Sequence, residues 1–543
     1  MAGCPSGALS IVDWDAVTSA AHKKKAVIRT AIEVNRPDRD DVVGVLSKVG
    51  GFDLAAMCGA FLGAAAARRP AVIDGLISAA AALCAVRLCP NVRGYLVPSH
   101  ASFEIGYRLA MEAMDLRPLF DLGMRLGEGS GTIFLGSFIL MLPISLNDGV
   151  NLKYVDSLYT ATSAVCVTGL VTVDPANTFT PFGRCVLAAL IQIGGLGVTS
   201  FGTGIIIAMG KKLNLKSRNI TKEALNLDSR KGIVSFIKEI FLTTLTIELL
   251  GAFFSFFTFR KKFSFFKAVG ISLFHSIAAF NNSGFDILGN FQSLSAYKND
   301  VYINIVTCFL IFFGGIGFYV IKELRMNKFK WKPLSMHSKV VLSVSMILII
   351  FGTIMLKLTE NITWLGALFN SVSARTAGFS TFNLGDFSNA GLIIMMVLMF
   401  IGASPGSTAG GIKTTTIFVL FQGVKSSAIN KSEKAFKYAV PKNAFKKAAV
   451  ITVIGITVVL TGTFLMSLFE PNLEIKDIVF EIVSAYGTVG DSTGITPSIS
   501  TASKILSMLV MFIGRLGPMT IVTLWYFSHG ERVRYPEGNI SIG

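Results

Sequence analysis

The chain has 543 residues, 52% apolar and only 15% charged, with a mean hydropathy of +0.60 and a formal charge of +17. Soluble domains carry roughly a quarter charged residues, so this composition excludes an ordinary soluble protein and implies a polytopic membrane protein. The basic excess does not imply nucleic-acid binding, because the lysines and arginines gather in loops between apolar runs, as the positive-inside rule requires.

Residues 1 to 128 differ from the rest, mixing Asp, Glu, Lys and Arg densely. The opening stretch holds Asp13, Asp15 and Lys23 to Lys25 but no apolar run, so no secretory signal peptide is expected. Two Ala-rich runs, 54 to 67 and 71 to 86, are too short to cross a bilayer, and read as buried segments of a partial soluble α/β or helical domain. The seven cysteines lack metal-ligand spacing and read as reduced, mostly buried thiols.

The stretches KVGGFDLAAMCGAFLGAAAA, VIDGLISAAAALCAVRLCP, SHASFEIGYRLAMEAM and LFDLGMRLGEGSG resemble the C-terminal part of nicotinate-nucleotide:dimethylbenzimidazole phosphoribosyltransferase, an enzyme of cobalamin synthesis. The resemblance implies that Glu128 of the GEGSG motif stands where that family's general base deprotonates the benzimidazole. The family's N-terminal half has no counterpart, so residues 1 to 131 are expected to be a truncated fragment, with Glu128 a vestigial base and no catalysis.

The first apolar run, TIFLGSFILMLPISL (132 to 146), follows GEGSG directly. As helix it would reach about 22 Å, short of the roughly 30 Å hydrocarbon core. The junction therefore reads as a fusion that replaced the start of a first span. Residues 182 to 209, 234 to 258, 301 to 321, 340 to 356, 391 to 412, 448 to 469 and 505 to 527 read as seven further spans. Basic loops separate them at Lys211 to Lys231, Lys322 to Lys339 and Lys425 to Lys447, and the tail (531 to 543) carries Arg532 and Arg534.

Between alternate spans lie Ser/Thr/Ala/Gly-rich segments that form an internal repeat: SAVCVTGL, AAFNNSGF, VSARTAGF and SAYGTVGD. Their glycines, Gly169, Gly284, Gly378 and Gly490, are 115, 94 and 112 residues apart. A second signature follows each: IGGLG, FGGIG, IGASPG and IGRLG, placing Gly194, Gly314, Gly402 and Gly514 at 25, 30, 24 and 24 residues. Small-residue helix packing explains one such motif but not four in phase.

Four repeats of span, pore helix, glycine and span give one all-α polytopic chain pseudo-fourfold symmetry. Each pore helix would aim its partially negative C-terminal end at a central cation. The extended residues after it would offer backbone carbonyls in place of the ion's water. The candidate filter is Val165, Cys166, Val167, Thr168 and Gly169; Asn281, Asn282, Ser283 and Gly284; Arg375, Thr376, Ala377 and Gly378; and Gly487, Thr488, Val489 and Gly490. Arg375 is expected to brace its segment rather than touch ions.

From about residue 132 to 530, the stretches TATSAVCVTGLVTVD, HSIAAFNNSGFDILGNF, NSVSARTAGFSTFNL, SAYGTVGDSTGIT and MFIGASPGSTAGGIKTTT resemble the membrane subunit of the Ktr/Trk/HKT potassium transporters, nearest the Ktr type. Glycine at all four filter positions implies potassium preference. The resemblance implies that Gly402, Ser404, Pro405, Gly406, Ser407, Thr408, Gly410 and Gly411 form an intramembrane gate loop, where the alternative is a passive kink. Arg515 is placed by the same analogy below the filter, against that gate, with a structural ion pair as the alternative. Lys413 reads as an interface anchor, and Asp491 departs from an expected apolar residue, either drawing cations to the mouth or pairing with a neighbour.

Potassium is then the transported ion, with sodium as a possible coupling or activating ion and no covalent cofactor. The resemblance further implies a homodimer in the inner membrane, in contact with lipid, with both termini cytoplasmic. Its regulatory partner would be a separate cytoplasmic nucleotide-binding ring facing the basic loops. No nucleic-acid partner and no Walker motif are read.

Overall fold

A computed structural model describes residues 29–38, 40–73, 75–98, 105–117, 130–197, 233–430, 434–441 and 443–517, with single positions between 200 and 207. The chain divides into two compact units with a boundary between Gly131 and Thr132. Glu128, the first basic loop and the C-terminal tail lie outside the described residues.

In the first unit Asp41 starts α1 (Val42–Lys48) by accepting from the Gly44 N–H at 2.9 Å. Then come α2 (Phe52–Ala66), β1 (Ala71–Ile73), α3 (Gly75–Leu88), β2 (Leu96–Pro98) and α4 (Ile105–Met114). β1 and β2 pair in parallel, Ala71 opposite Leu96, so α3 lies in a β-α-β crossover. The Ala-rich runs are α2 and the β1–α3 segment: Ala79, Ala81, Ala82 and Ala85 are fully or almost fully buried against Phe61, Ile73 and Met111. Parallel sheets are normally covered on both faces. Here, among the described residues, the sheet has two strands, and Phe52 is 93% exposed.

The second unit begins with α5 (Ser130–Leu140), shorter than the expected 132 to 146 run. Pro143, lacking an N–H, turns the chain into a short 3₁₀ segment, Pro143–Ser145. Eleven residues reach only about 16 Å as helix.

Next come α6 (Tyr154–Val165) and α7 (Pro181–Leu196), then α8 (Ile233–Phe259), α9 (Phe265–Phe280), α10 (Val301–Ile316) and α11 (Phe318–Met326). The chain continues through α12 (Met336–Thr359), α13 (Trp364–Ser373), α14 (Asn389–Phe400) and α15 (Thr414–Ile429). It ends with α16 (Ala444–Phe469), α17 (Ile475–Gly487) and α18 (Thr501–Leu516). Among the described residues, α8, α12 and α16 are apolar and long enough to cross a membrane, at 27, 24 and 26 residues.

The second helix of each repeat differs from expectation. Residues 182 to 209, 301 to 321, 391 to 412 and 505 to 527 read as continuous spans, with only the third broken. Among the described residues the second and third are broken, and the first and fourth helices end well short of the expected bounds. Gly197, Gly317 and Gly517 end α7, α10 and α18 with φ of +80°, +90° and +86°, and the α10–α11 bend is 100°. The third breaks at Ile401. These helices start alike, with Thr180, Asp300, Ser388 and Ser500 as side-chain N-caps.

All six described cysteines are free, but only Cys58 and Cys166 are buried; Cys185 is exposed, so the thiols are less buried than expected.

Candidate functional site

α6, α9, α13 and α17 each end on one of the four repeated motifs. The residue two before each glycine is left-handed: Val167 (φ +57°), Asn282 (+57°), Thr376 (+103°) and Thr488 (+50°). Gly169, Gly284, Gly378 and Gly490 follow at +97°, +67°, +71° and +98°, whereas Thr168, Ser283, Ala377 and Val489 between them have negative φ. Alternating handedness gathers successive N–H groups on one side and turns the carbonyls to the other.

The N–H groups are spent on the helix behind. In the first repeat the Thr168 N–H donates to the Ser163 carbonyl (2.8 Å) and the Gly169 N–H to its hydroxyl (3.0 Å). Val489 and Gly490 do the same at Ser484, at 3.0 and 3.1 Å. In the other two, Ser283 donates to Ala278 (2.9 Å) and Ala377 to Ser373 (2.8 Å).

The four segments close on one another. A Cβ on Gly169 would lie 2.3 Å from the Ser283 oxygen, on Gly284 2.6 Å from Ala377, on Gly378 2.0 Å from Val489, and on Gly490 2.3 Å from Thr168. Each glycine thus packs on the next segment's carbonyl, and the fourth returns to the first. Only glycine combines that approach with positive φ.

The filter boundaries shift slightly from expectation. Val165 and Gly487 are the last residues of α6 and α17, not extended backbone, and Cys166 caps α6 in a right-handed conformation. Asn281 turns away from the ring: its amide donates to Gln192 (3.0 Å), Glu248 (2.9 Å) and the Ile277 carbonyl (2.9 Å). Asn282 hydrogen-bonds the Thr376 hydroxyl at 3.0 Å, linking two segments. Arg375 reaches Ser345 on α12, donating to its carbonyl (3.3 Å) and hydroxyl (3.2 Å).

The second glycine of each repeat supports the first. A Cβ on Gly194 would meet the Val165 carbonyl at 2.2 Å, on Gly314 the Phe280 carbonyl at 1.9 Å, and on Gly514 the Tyr486 carbonyl at 2.0 Å. The span packs on the end of its own repeat's shorter helix, which is why the two signatures occur together. In the third repeat Gly402 faces the Gly410 carbonyl at 2.5 Å instead.

That third break is an ordered loop, residues 401 to 413, rather than a passive kink. Ser404 N–H donates to the Gly315 carbonyl (3.0 Å), and the Thr408 hydroxyl to those of Phe280 (3.3 Å) and Gly314 (3.2 Å). Gly410 N–H reaches the Thr488 hydroxyl (3.0 Å), and Gly411 N–H the Gly514 carbonyl (3.3 Å). The Gly406 carbonyl accepts from Phe318 (3.1 Å), and Ser407 donates back to Ser404 (2.6 Å) across the Pro405 turn.

Arg515 completes the enclosure, donating to the carbonyls of Thr408 in the loop and Gly194 in the first repeat. Its partners are carbonyls rather than a carboxylate, so the ion-pair alternative is set aside. Lys413 does not anchor outward: its ammonium folds back onto the Ala409 (2.7 Å) and Gly410 (3.1 Å) carbonyls. Asp491 is 2% exposed with neither carboxylate oxygen hydrogen-bonded, which rules out pairing with a neighbour.

Sequence reasoning missed two supports. Glu481, fully buried on α17, accepts from Ser492 (2.8 Å) and Thr496 (2.6 Å), anchoring the segment after Gly490. Asp156 on α6 accepts from Lys504 on α18 at 2.7 Å, joining first and fourth repeats. An acid in a short membrane-depth helix was the available signal.

The fold and this ring of segments fit an integral membrane protein of ion transport. Comparison with known proteins agrees. The Cation transport protein profile TrkH matches residues 133–360 and 334–531. The chain is 37% identical over 425 residues to the Ktr system potassium uptake protein B of Bacillus subtilis, covering 76% of this chain and 94% of that protein. It is 35% identical over 429 residues to the Potassium/sodium uptake protein NtpJ of Enterococcus hirae, with the same coverages. The structure of the potassium transporter TrkH from Vibrio parahaemolyticus shares the fold, with a TM-score of 0.59 and 17% identity over 78% of this chain and 91% of that one. This chain belongs to the TrkH/KtrB potassium transporter family.

The Phosphoribosyltransferase profile matches residues 15–142. There the chain is 55% identical over 108 residues to the nicotinate-nucleotide–dimethylbenzimidazole phosphoribosyltransferase of Ruminiclostridium cellulolyticum, covering 20% of this chain and 31% of the enzyme. The corresponding enzyme of Clostridium acetobutylicum is 46% identical over 131 residues, 37% of its length.

Proposed function

We propose that this chain takes up potassium through a pseudo-fourfold filter built on Gly169, Gly284, Gly378 and Gly490, gated from below by the 401 to 413 loop. The closed ring of glycine-to-carbonyl packing carries this reading. Carbonyls of Val167 to Gly169, Asn282 to Gly284, Thr376 to Gly378 and Thr488 to Gly490 replace the ion's water, and Cys166, Asn281 and Arg375 hold them from behind. The gate loop bonds to the second and fourth repeats directly and, through Arg515, to the first. Opening requires those bonds to part, with Lys413 bracing the loop's own carbonyls.

The chain sits in the inner membrane with both termini and the basic loops on the cytoplasmic side. It works as a homodimer on a cytoplasmic nucleotide-binding ring, a reading supported by its similarity to Ktr system proteins. Sodium serves as coupling or activating ion, in keeping with the Potassium/sodium name of the Enterococcus relative. The N-terminal segment spans about a third of the length of the enzymes it resembles.

Rescue of potassium-limited growth in uptake-deficient cells tests the whole reading. Wild type should rescue and Gly169→Ser should not. Failure of correctly inserted wild type to rescue would overturn it.

A further inference from the structure

A cavity lies at the C-terminal end of α8, away from the four glycine segments. It measures ≈ 400 Å³, and Thr258, Lys261, Lys262, Tyr297 and Lys298 are among the residues lining it. Three features mark it as built for a ligand. Thr258 is 2% exposed and its hydroxyl has no hydrogen-bond partner, so an oriented buried donor sits at the pocket. Three lysines surround it, against one carboxylate, Asp300, already occupied in capping α10 through the Tyr302 (3.1 Å) and Ile303 (3.3 Å) N–H groups. Lys262 is held in place, 4.2 Å over the Tyr297 ring.

The location narrows the ligand. The long basic loops, Lys322 to Lys339 and Lys425 to Lys447, lead into α12 and α16, whereas this cluster follows α8, so three lysines gathered here stand against the positive-inside pattern and call for a local anion. Phe254 and Leu250, four and eight residues before Thr258, share its helical face and are 44% and 51% exposed. A ligand with a phosphate at the lysines and acyl chains along that face satisfies both halves.

We infer that this pocket binds the phosphodiester headgroup of an anionic phospholipid in the outer leaflet. The lysines hold the phosphate oxygens as point charges, Thr258 donates to one of them, and the chains run down α8. This rests on reading the unit as membrane-spanning, but its test needs no transport.

The test uses the full chain, purified in detergent and titrated with phosphatidylglycerol, with bound lipid read by native mass spectrometry. Wild type should retain one phosphatidylglycerol more firmly than Lys261→Gln/Lys298→Gln, which should lose roughly fivefold in affinity for each lysine neutralised. That double variant leaves the Lys262–Tyr297 stack intact, and Thr258→Val should weaken retention without altering the fold. Equal retention by wild type and both variants overturns the proposal. So does equal retention of phosphatidylcholine, or inorganic phosphate displacing the lipid at matched concentration, which would mark a free-anion site. Lipid retention with failed potassium rescue would sink the transport reading and leave this one standing.

Discussion

Gly378→Ser isolates the filter argument. The Cβ it introduces would lie 2.0 Å from the Val489 carbonyl oxygen and 2.9 Å from Gly490 Cα, both backbone atoms. Even close C–H···O contacts need about 3.3 Å, so the carbonyl must retreat by about 1.3 Å. The Gly378 backbone cannot yield instead, because the N–H groups of Ala377 (2.8 Å) and Gly378 (3.3 Å) are fixed to Ser373. Holding φ near +71° adds roughly 1–2 kcal/mol for any residue with a side chain. A carbonyl displaced that far leaves the set formed with Thr168, Ser283 and Ala377. At about 1.4 kcal/mol, within that range, potassium-over-sodium discrimination falls tenfold. Competition flux in proteoliposomes reads this directly. Gly270→Ser is the control, since no atom lies within 4 Å of its Cβ. Unchanged potassium affinity and discrimination in Gly378→Ser would refute the reasoning.

Arg515→Gln removes the bridge between Thr408 and Gly194. Charged hydrogen bonds contribute about 1.5–3 kcal/mol, so basal flux should rise roughly tenfold or more. Arg515→Lys should recover only part, lacking the fork that spans two carbonyls; equal flux in all three sinks the gate assignment. Asp156→Asn strands Lys504, whose side chain is 14% exposed, and should cost about 3 kcal/mol in thermal unfolding, with Asp156→Leu/Lys504→Met recovering most of it. Asp491→Leu replaces an unpartnered buried carboxylate with the residue type found at Leu170 and should raise the melting midpoint by several degrees. Burial pushes the Glu470 carboxyl up, but hydrogen bonds from Ser503 (2.7 Å) and Ser500 (2.6 Å) outweigh it and hold it below its ordinary 4.5. That contribution is present above 4.5 and lost as pH falls through the lower folded value, so melting curves of Glu470→Gln should lose this acid sensitivity.

The filter glycines were legible because their constraint is local. Positive φ and a carbonyl at van der Waals distance admit no other residue, and the same constraint recurs four times in phase. The helix ends at Gly197, Gly317 and Gly517 were less legible, since IGGLG, FGGIG and IGRLG continue as apolar sequence and hydropathy does not register where a helix stops. The final glycine of each signature was the available sign, as a glycine with positive φ commonly ends a helix. Partners of long side chains were not legible at all. Arg375 to Ser345 and Lys413 to Ala409 depend on how helices cross, and a sequence records that only through its consequences.

The ends of the second helices and the 401 to 413 loop vary one theme. In repeats one, two and four the helix ends on a single glycine of positive φ after packing on the end of its repeat's shorter helix. In the third repeat the turn expands into the 401 to 413 loop, where Gly406 and Gly411 take φ of +68° and +67°. Because the other three helices end at similar points, their last carbonyls lie at the level of that loop, the Gly194 oxygen also accepting the Gly197 N–H at 3.1 Å. Gly194, Gly314, Gly315 and Gly514 are where the loop or Arg515 makes its bonds. The loop is thus held by backbone carbonyls at the ends of the three neighbouring helices.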